Sequence, residues 1–181
     1  STNAAFIQNG GSFTATNVTV LPGARFSALG GSTLLEGNFN NSGTLVASVG
    51  MSIAGGLAPA GTAIAGITTI NTGVSVLADF VRQNTLTVNG NGIMRMQFKF
   101  KGGDTSVLKT LTLQTSNGSP TAYLDLADNG LVVDYTGSSS LPTIKSAIIA
   151  SYNPGGGHWN APGITSTVAI VSGTTSRSFG R

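Results

Sequence analysis

The chain has no cysteine, one histidine and one tryptophan among 181 residues. Disulfides therefore add nothing to its stability, and thiol nucleophiles and cysteine-built zinc sites are excluded. Charge is equally scarce: nine Lys and Arg and six Asp and Glu make 8% of the chain, where about 25% is usual. A formal charge of +3 spread this thinly forms no basic run able to follow a phosphate backbone, which argues against nucleic-acid binding. Helical periodicity is nearly missing. Residues 49–67 (VGMSIAGGLAPAGTAIAGI) carry no charge and are nominally long enough to span a bilayer. Their glycines and proline would break such a helix, so the stretch reads as a Gly/Ala-rich turn region and no membrane insertion is expected.

What is present is glycine, 26 residues of it, among hydroxyl and amide side chains, with 40% hydrophobic residues that alternate with polar ones. That alternation separates the chain from disordered sequences. A surface of hydroxyls and amides suits an extracellular or cell-surface β-protein. The opening STNAAF lacks an initiator Met and an apolar signal core, and reads as a mature product after export or as an excerpt.

Four segments share one design, an extended run, a turn containing glycine, and a second extended run: VTVLPGARFSA (18–28), LEGNFNNSGTLVAS (35–48), ITTINTGVSVLA (67–78) and LTVNGNGIMRMQF (86–98). Their turn glycines, Gly23, Gly43, Gly73 and Gly92, advance by 20, 30 and 19 residues, the long step holding the Gly/Ala-rich insertion. Short strands repeating at about 20 residues predict an all-β fold, a β-solenoid (parallel β-helix) of stacked rungs, with an antiparallel β-sandwich as the alternative. Residues 92–101 (GIMRMQFKFK) form the clearest strand, with Met94, Met96, Phe98 and Phe100 toward a core and Arg95, Gln97, Lys99 and Lys101 away from it. Further strands are expected at 105–115, 121–130 and 131–137, the last two as a hairpin turning at Asp128-Asn129-Gly130. One short helix is expected over 140–153, capped by Ser140, with Pro142 in its first turn and Ile144 and Ile148 on one face. The organisation predicted is rungs with an N-terminal strand over 1–123, and a hairpin, helix and Gly-rich loop over 124–181 continuous with the same body.

Asp125, Asp128 and Asp134 are the candidate metal ligands, half of all acidic residues within ten positions. Their spacing does not match the EF-hand loop, and a glycosidase carboxylate pair needs an apolar pocket that the sequence does not place. Asp128 reads as a turn former, and Asp125 and Asp134 as exposed strand positions facing one another across the hairpin. Lys99 and Lys101 form the candidate strip for an acidic polysaccharide, and Trp159, in NPGGGHWNAPG, is a loop anchor that a sugar ring would also suit. The glycine run lacks the Lys-Ser/Thr of a P-loop, and the lone His158 has no ligand partner in spacing. At the N-terminus, Phe6, Ile7, Phe13, Val18 and Val20 are apolar enough to mediate assembly, as an open rung or as a strand donated to a neighbour.

GGLAPAGTAIAGITTINTG (55–73) resembles the segment G-x-L-x-P-G…G-x-L-T-I-x-G of bacterial secreted solenoids, among them autotransporter-associated β-strand repeat proteins and PEP-CTERM-type exported proteins; AGTAIAG stands here where GNSPG is usual. Residues 124–166 resemble the terminal module LDLxxNxLVVDYTG…GYNxGxWNGxGIxSS that follows such repeats in planctomycetes, with Asn129, Tyr152, Trp159 and Gly163 on its pattern. The resemblance implies export, a β-helical body and a structural role at the cell surface, and it names no catalytic residue or cofactor. The expected function is a non-catalytic, self-assembling subunit of an extracellular fibre or sheath. The alternatives are a polysaccharide-binding or adhesin module and a polysaccharide lyase or hydrolase built on a β-helix.

Overall fold

The structure, a computed structural model, describes residues 4–99, 103–154, 156 and 158–169. Parallel pairing winds these residues into a β-solenoid of about six turns. β1 (Ala5–Ala15) and β2 (Val18–Val20) make the first turn, β3 (Arg25–Leu35) and β4 (Phe39–Asn41) the second. β5 (Thr44–Ala47), β6 (Met51–Ile53) and β7 (Leu57–Ala58) make the third, and β8 (Ile67–Ile70) and β9 (Ser75–Ala78) open the fourth. Then come β10 (Arg82–Val88), β11 (Ile93–Met96), β12 (Thr105–Leu113), β13 (Thr115–Ser116), β14 (Ser119–Pro120), β15 (Tyr123–Asp125), β16 (Gly130–Val133), the helix α1 (Leu141–Tyr152) and β17 (Gly163–Thr165).

The registers define three faces. The first stacks the early residues of β1 and β3 on β5, β8 and the late residues of β10 and β12. The second continues from the late residues of β1 and β3 through β6, β9, β11, β15 and β17. The third runs from β2 through β4 and β7, by the Leu57–Val81 bridge to the start of β10, and on to β12 and β16. Because side chains alternate along a strand, the same inward position recurs turn after turn and the core becomes a set of columns. Met51, Val76, Met94, Leu124 and Ile164 stand in one such column, and Phe39, Leu57 and Val81 in another, all buried. Four rings fill the N-terminal turns: Phe26 lies 4.8 Å from Phe6, 5.6 Å from Phe13 and 5.2 Å from Phe39.

One inward patch is polar. Asn41, Thr68 and Gln83 are fully buried, and each is satisfied by the others. Asn41 Nδ2 donates to Gln83 Oε1 at 2.9 Å and to the Ile67 carbonyl at 3.1 Å; Thr68 Oγ1 donates to Gln83 Oε1 at 3.3 Å. Gln83 Nε2 donates in turn to the carbonyls of Arg82 (3.0 Å) and Asn41 (3.3 Å). A polar group inside a solenoid is tolerated only on these terms, since an unpaired one costs about 1–3 kcal/mol.

The turn glycines occupy two corners rather than one. Gly23 and Gly43 precede first-face strands, whereas Gly73 and Gly92 lie between the first and second faces, so the 30-residue step is a change of corner. Gly66 continues the first corner. Its φ is +80° and a Cβ there would fall 2.3 Å from the Asn41 carbonyl oxygen, which only glycine avoids. The Gly/Ala-rich stretch is also more than a turn, for it contributes β6 and β7 with Met51, Ile53 and Leu57 in the core.

Three sequence expectations are corrected by the topology. The strands flanking Asn129 do not pair as a hairpin: β15 lies on the second face between β11 and β17, and β16 lies on the third against β12. Among the described residues the antiparallel pair is β13 with β14, turning at Asn117-Gly118 with φ of 52° and 81°. The 92–101 strand ends at Met96, where the chain rounds a corner, so Phe98 is exposed instead of buried; Phe100 and Lys101 lie outside the described residues. Ser140 occupies the N-cap of α1 without a side-chain bond, and it is Ser139 Oγ that accepts from the Leu141 amide at 3.2 Å. The helix turns Ala147 and Ser151 inward with Ile144 partly buried beside them, while Ile148 faces outward.

The helix falls, in chain order, between a third-face strand and a second-face strand. It therefore takes the first-face place of the last turn, beside Leu111 and Leu113 of β12, with an apolar cavity of about 300 Å³ left beneath it. Solenoid ends expose sheet edges; α1 lies at the first-face edge of β12, while β16 and β17 end the other two faces. No helix among the described residues is long and apolar enough to cross a membrane.

Candidate functional site

The three aspartates that draw attention in the sequence are dispersed by the fold. Asp125 projects from the outer surface of the second face but is only 2% exposed, because the chain around Trp159 and Thr167 folds back over it. Its carboxylate accepts from Arg95 Nε at 3.1 Å, from the Ala127 amide at 3.1 Å and from the Thr167 amide at 2.9 Å. Asp128 accepts from the Lys99 amide at 3.2 Å, and Asp134 is exposed at the end of β16. Asp125 is thus a buried structural acceptor, not an exposed strand position. Among the described residues no group of three or more His, Cys, Asp or Glu side chains is placed to hold a metal ion. Replacing Asp125 by Ala should cost about 2 kcal/mol, because three donors lose one acceptor and two of them are backbone amides. Asp134→Asn should stay within about 0.5 kcal/mol, as exposed positions do. Urea unfolding of the two variants side by side checks both.

Lys99 is committed within the chain. Its ammonium sits 2.7 Å from Asp79 and 3.1 Å from Asp104, at the corner between the second and third faces. The hydrogen bonds to these carboxylates hold its pKa above the ordinary 10.5. A raised lysine pKa stabilises the fold fully below the unfolded-state value and loses that contribution only as pH rises through the folded-state value. Melting temperature should therefore respond to Lys99→Met equally at pH 6 and pH 8, with the difference shrinking only above about pH 10.5. Lys101, its companion in the predicted strip, lies outside the described residues.

Trp159 does reach a surface recess. Its backbone is left-handed (φ 55°), its amide donates to the Tyr152 carbonyl at 3.0 Å and its carbonyl accepts from Thr165 Oγ1. Its ring meets Tyr152 edge to face at 5.2 Å, while His158 stacks on the same tyrosine at 4.7 Å. The loop is thus anchored on the end of α1, as a large aromatic among glycines requires. Trp159 and Asn160 then form one wall of a cleft of about 200 Å³. Its floor is made by outward-facing residues of consecutive second-face strands, Ile93 beside Tyr123 and Arg95 beside Asp125 and Thr165. Arg95 and Tyr123 are residues the sequence reading did not assign to a site. The alternation that turns Arg95 outward was visible, but the 30-residue separation that sets it beside Asp125 was not.

The predicted assembly residues converge at the opposite end. Phe6, Phe13, Val18 and Val20 line, with Phe26, an open basin of about 300 Å³ at the mouth of the N-terminal turn. Val20 is 5% exposed and belongs to the core; Phe6 is 43% exposed, and Ile7 lies on the outer surface at 56%. β1 is not free to be donated as it stands, for it pairs along its length with β3. Its other edge has no strand partner among the described residues. Comparison with protein-family models, with curated proteins and with solved structures gave no match.

Proposed function

We propose that the protein is a non-catalytic extracellular structural subunit that associates end to end through its N-terminal turn. The observation that carries this reading is the asymmetry of the two ends. At one, α1 lies over β12; at the other, β1 keeps an unpaired edge above a basin walled by Phe6, Phe13 and Phe26. An unpaired edge over an apolar opening gains backbone hydrogen bonds and buried area from a partner of the same kind. Two N-terminal ends meeting make an isologous contact that yields pairs; a longer fibre or sheath then requires lateral contacts between pairs or contacts at β16 and β17, the last strands of their faces.

Sedimentation velocity and negative-stain microscopy at low and high salt test this reading. The intact chain should form rods of doubled length under both conditions, because the contact contains few ions to be screened. Phe6→Asp/Phe13→Asp should sediment as a folded monomer. A monomeric intact chain, or a double variant that pairs as readily as its parent, overturns the proposal. The Trp159 cleft is the one feature that favours the alternative reading, a polysaccharide-binding module.

A further inference from the structure

We infer that the cleft between Trp159 and the outer surface of the second face binds a uronic-acid unit of an acidic polysaccharide, with Arg95 as its carboxylate receptor and with Tyr123 in its floor and Trp159 in its wall as the aromatic surfaces. This stands independently of the assembly proposal, because the cleft lies beside the C-terminal turns and α1, far along the solenoid from the N-terminal basin.

The argument starts from unused hydrogen-bonding capacity. Asp125 accepts from two backbone amides on Oδ1 and from Arg95 Nε on Oδ2, so the guanidinium is held to it by its Nε edge. The two terminal amino groups of Arg95 make no hydrogen bond among the described residues, and the side chain remains 47% exposed beside the cleft. A guanidinium fork held by its Nε presents parallel N–H groups, the geometry that receives a carboxylate in two bonds. The side-chain amide of Asn160 is engaged within its own loop, donating to the Gly156 carbonyl and accepting from Asn153, so it does not compete for that role.

Charge decides the class of anion. Lys99, the nearest other cation in the predicted strip, is bound to Asp79 and Asp104 and is not part of the cleft. One free fork, with Asp125 already beside it, suits a monoanionic carboxylate and under-compensates a dianionic phosphate. The aromatic surfaces supply the remaining selectivity. Tyr123 and Trp159 are both half-buried, and aromatic surface flanking a small number of fixed polar groups is how shallow sites hold a ring-shaped ligand in one orientation. The lining of the cleft follows the stacking direction of the strands, from β11 to β15 to β17.

Because Trp159 is the sole tryptophan, its fluorescence reports the site directly. Titration of the full chain with a galacturonic-acid trimer should shift or quench the emission saturably in the millimolar range or below. Maltotriose should bind about tenfold more weakly, the value of losing one charge-assisted pair. Arg95→Gln alone would strand the buried Asp125, so the test variant is Arg95→Gln/Asp125→Asn, which keeps an amide pair in place. It should lose about tenfold in affinity for the acidic trimer while binding maltotriose as its parent does. Tyr123→Ala, on the outer surface, should weaken both sugars, and it serves if the double variant does not fold. Equal binding of the two trimers, no emission change with either, an unchanged affinity in both variants, or displacement of the acidic trimer by equimolar inorganic phosphate would each overturn the inference.

Discussion

Replacing Gln83 by Ala should lower the stability of the protein by about 4 kcal/mol, the sum of a side-chain-sized cavity and of donors left unpaired inside the solenoid. Gln83 is fully buried and ties β10 to β4 and β8: its Oε1 accepts from Asn41 and Thr68, and its Nε2 closes back on the Asn41 carbonyl. Gln83→Leu fills the space and still takes the Oε1 acceptor from one Asn41 N–H and from the Thr68 hydroxyl, so it should recover only the cavity part, about half of the loss. Guanidinium unfolding followed by far-ultraviolet circular dichroism separates the two. If Gln83→Leu is as stable as the parent, the network contributes nothing net and the patch is merely tolerated. Gly66→Ala acts on the same carbonyl, since its Cβ would lie 2.3 Å from Asn41 O. Combining it with Gln83→Ala should therefore cost less than the two losses added, as groups sharing one partner do.

Phe26→Ala should cost about 3–4 kcal/mol, within the range for aromatic truncation in a core, and its effect should be confined to one end. Phe26 is 2% exposed and is the ring that Phe6, Phe13 and Phe39 all touch. Each turn of a solenoid rests on its neighbours alone, so removing this ring releases β1 and β2 without disturbing the aliphatic columns of later turns. Hydrogen exchange should show loss of protection over residues 5–20 while the amides of β9, β11 and β15 keep theirs. The same variant should no longer pair through its N-terminal end, because the basin that receives the partner is gone. Uniform loss of protection along the whole chain would mean that the turns unfold as one unit, and that the end is not an independent element.

The all-β solenoid was legible because its cause is local. Period-2 alternation, turn glycines and a repeat near 20 residues are properties of short windows, and stacking is the way for strands of two to eleven residues to bury one face each. The helix was legible for the same reason, down to Pro142 in its first turn, although its cap was misplaced by one serine. Asp128-Asn129-Gly130, the expected hairpin turn, marks a corner between two faces, and the hairpin forms instead at Asn117-Gly118, which was not assigned from the sequence. Turn chemistry specifies a reversal or a bend, and only the neighbouring turn decides whether the flanking strands pair with each other or with the layers above and below. The burial of Asp125 was illegible on the same account. Strand alternation correctly turned it outward, but the loop that covers it is placed by Trp159 packing on Tyr152, a contact between the helix end and the glycine-rich segment. Its partner Arg95 lies 30 residues earlier, one turn below, and no periodicity in the chain states which residues of adjacent turns share a column. Sequence thus determined that the chain winds and what it winds from; register between turns, set by side-chain packing across the lumen and at the corners, decided which polar residues meet.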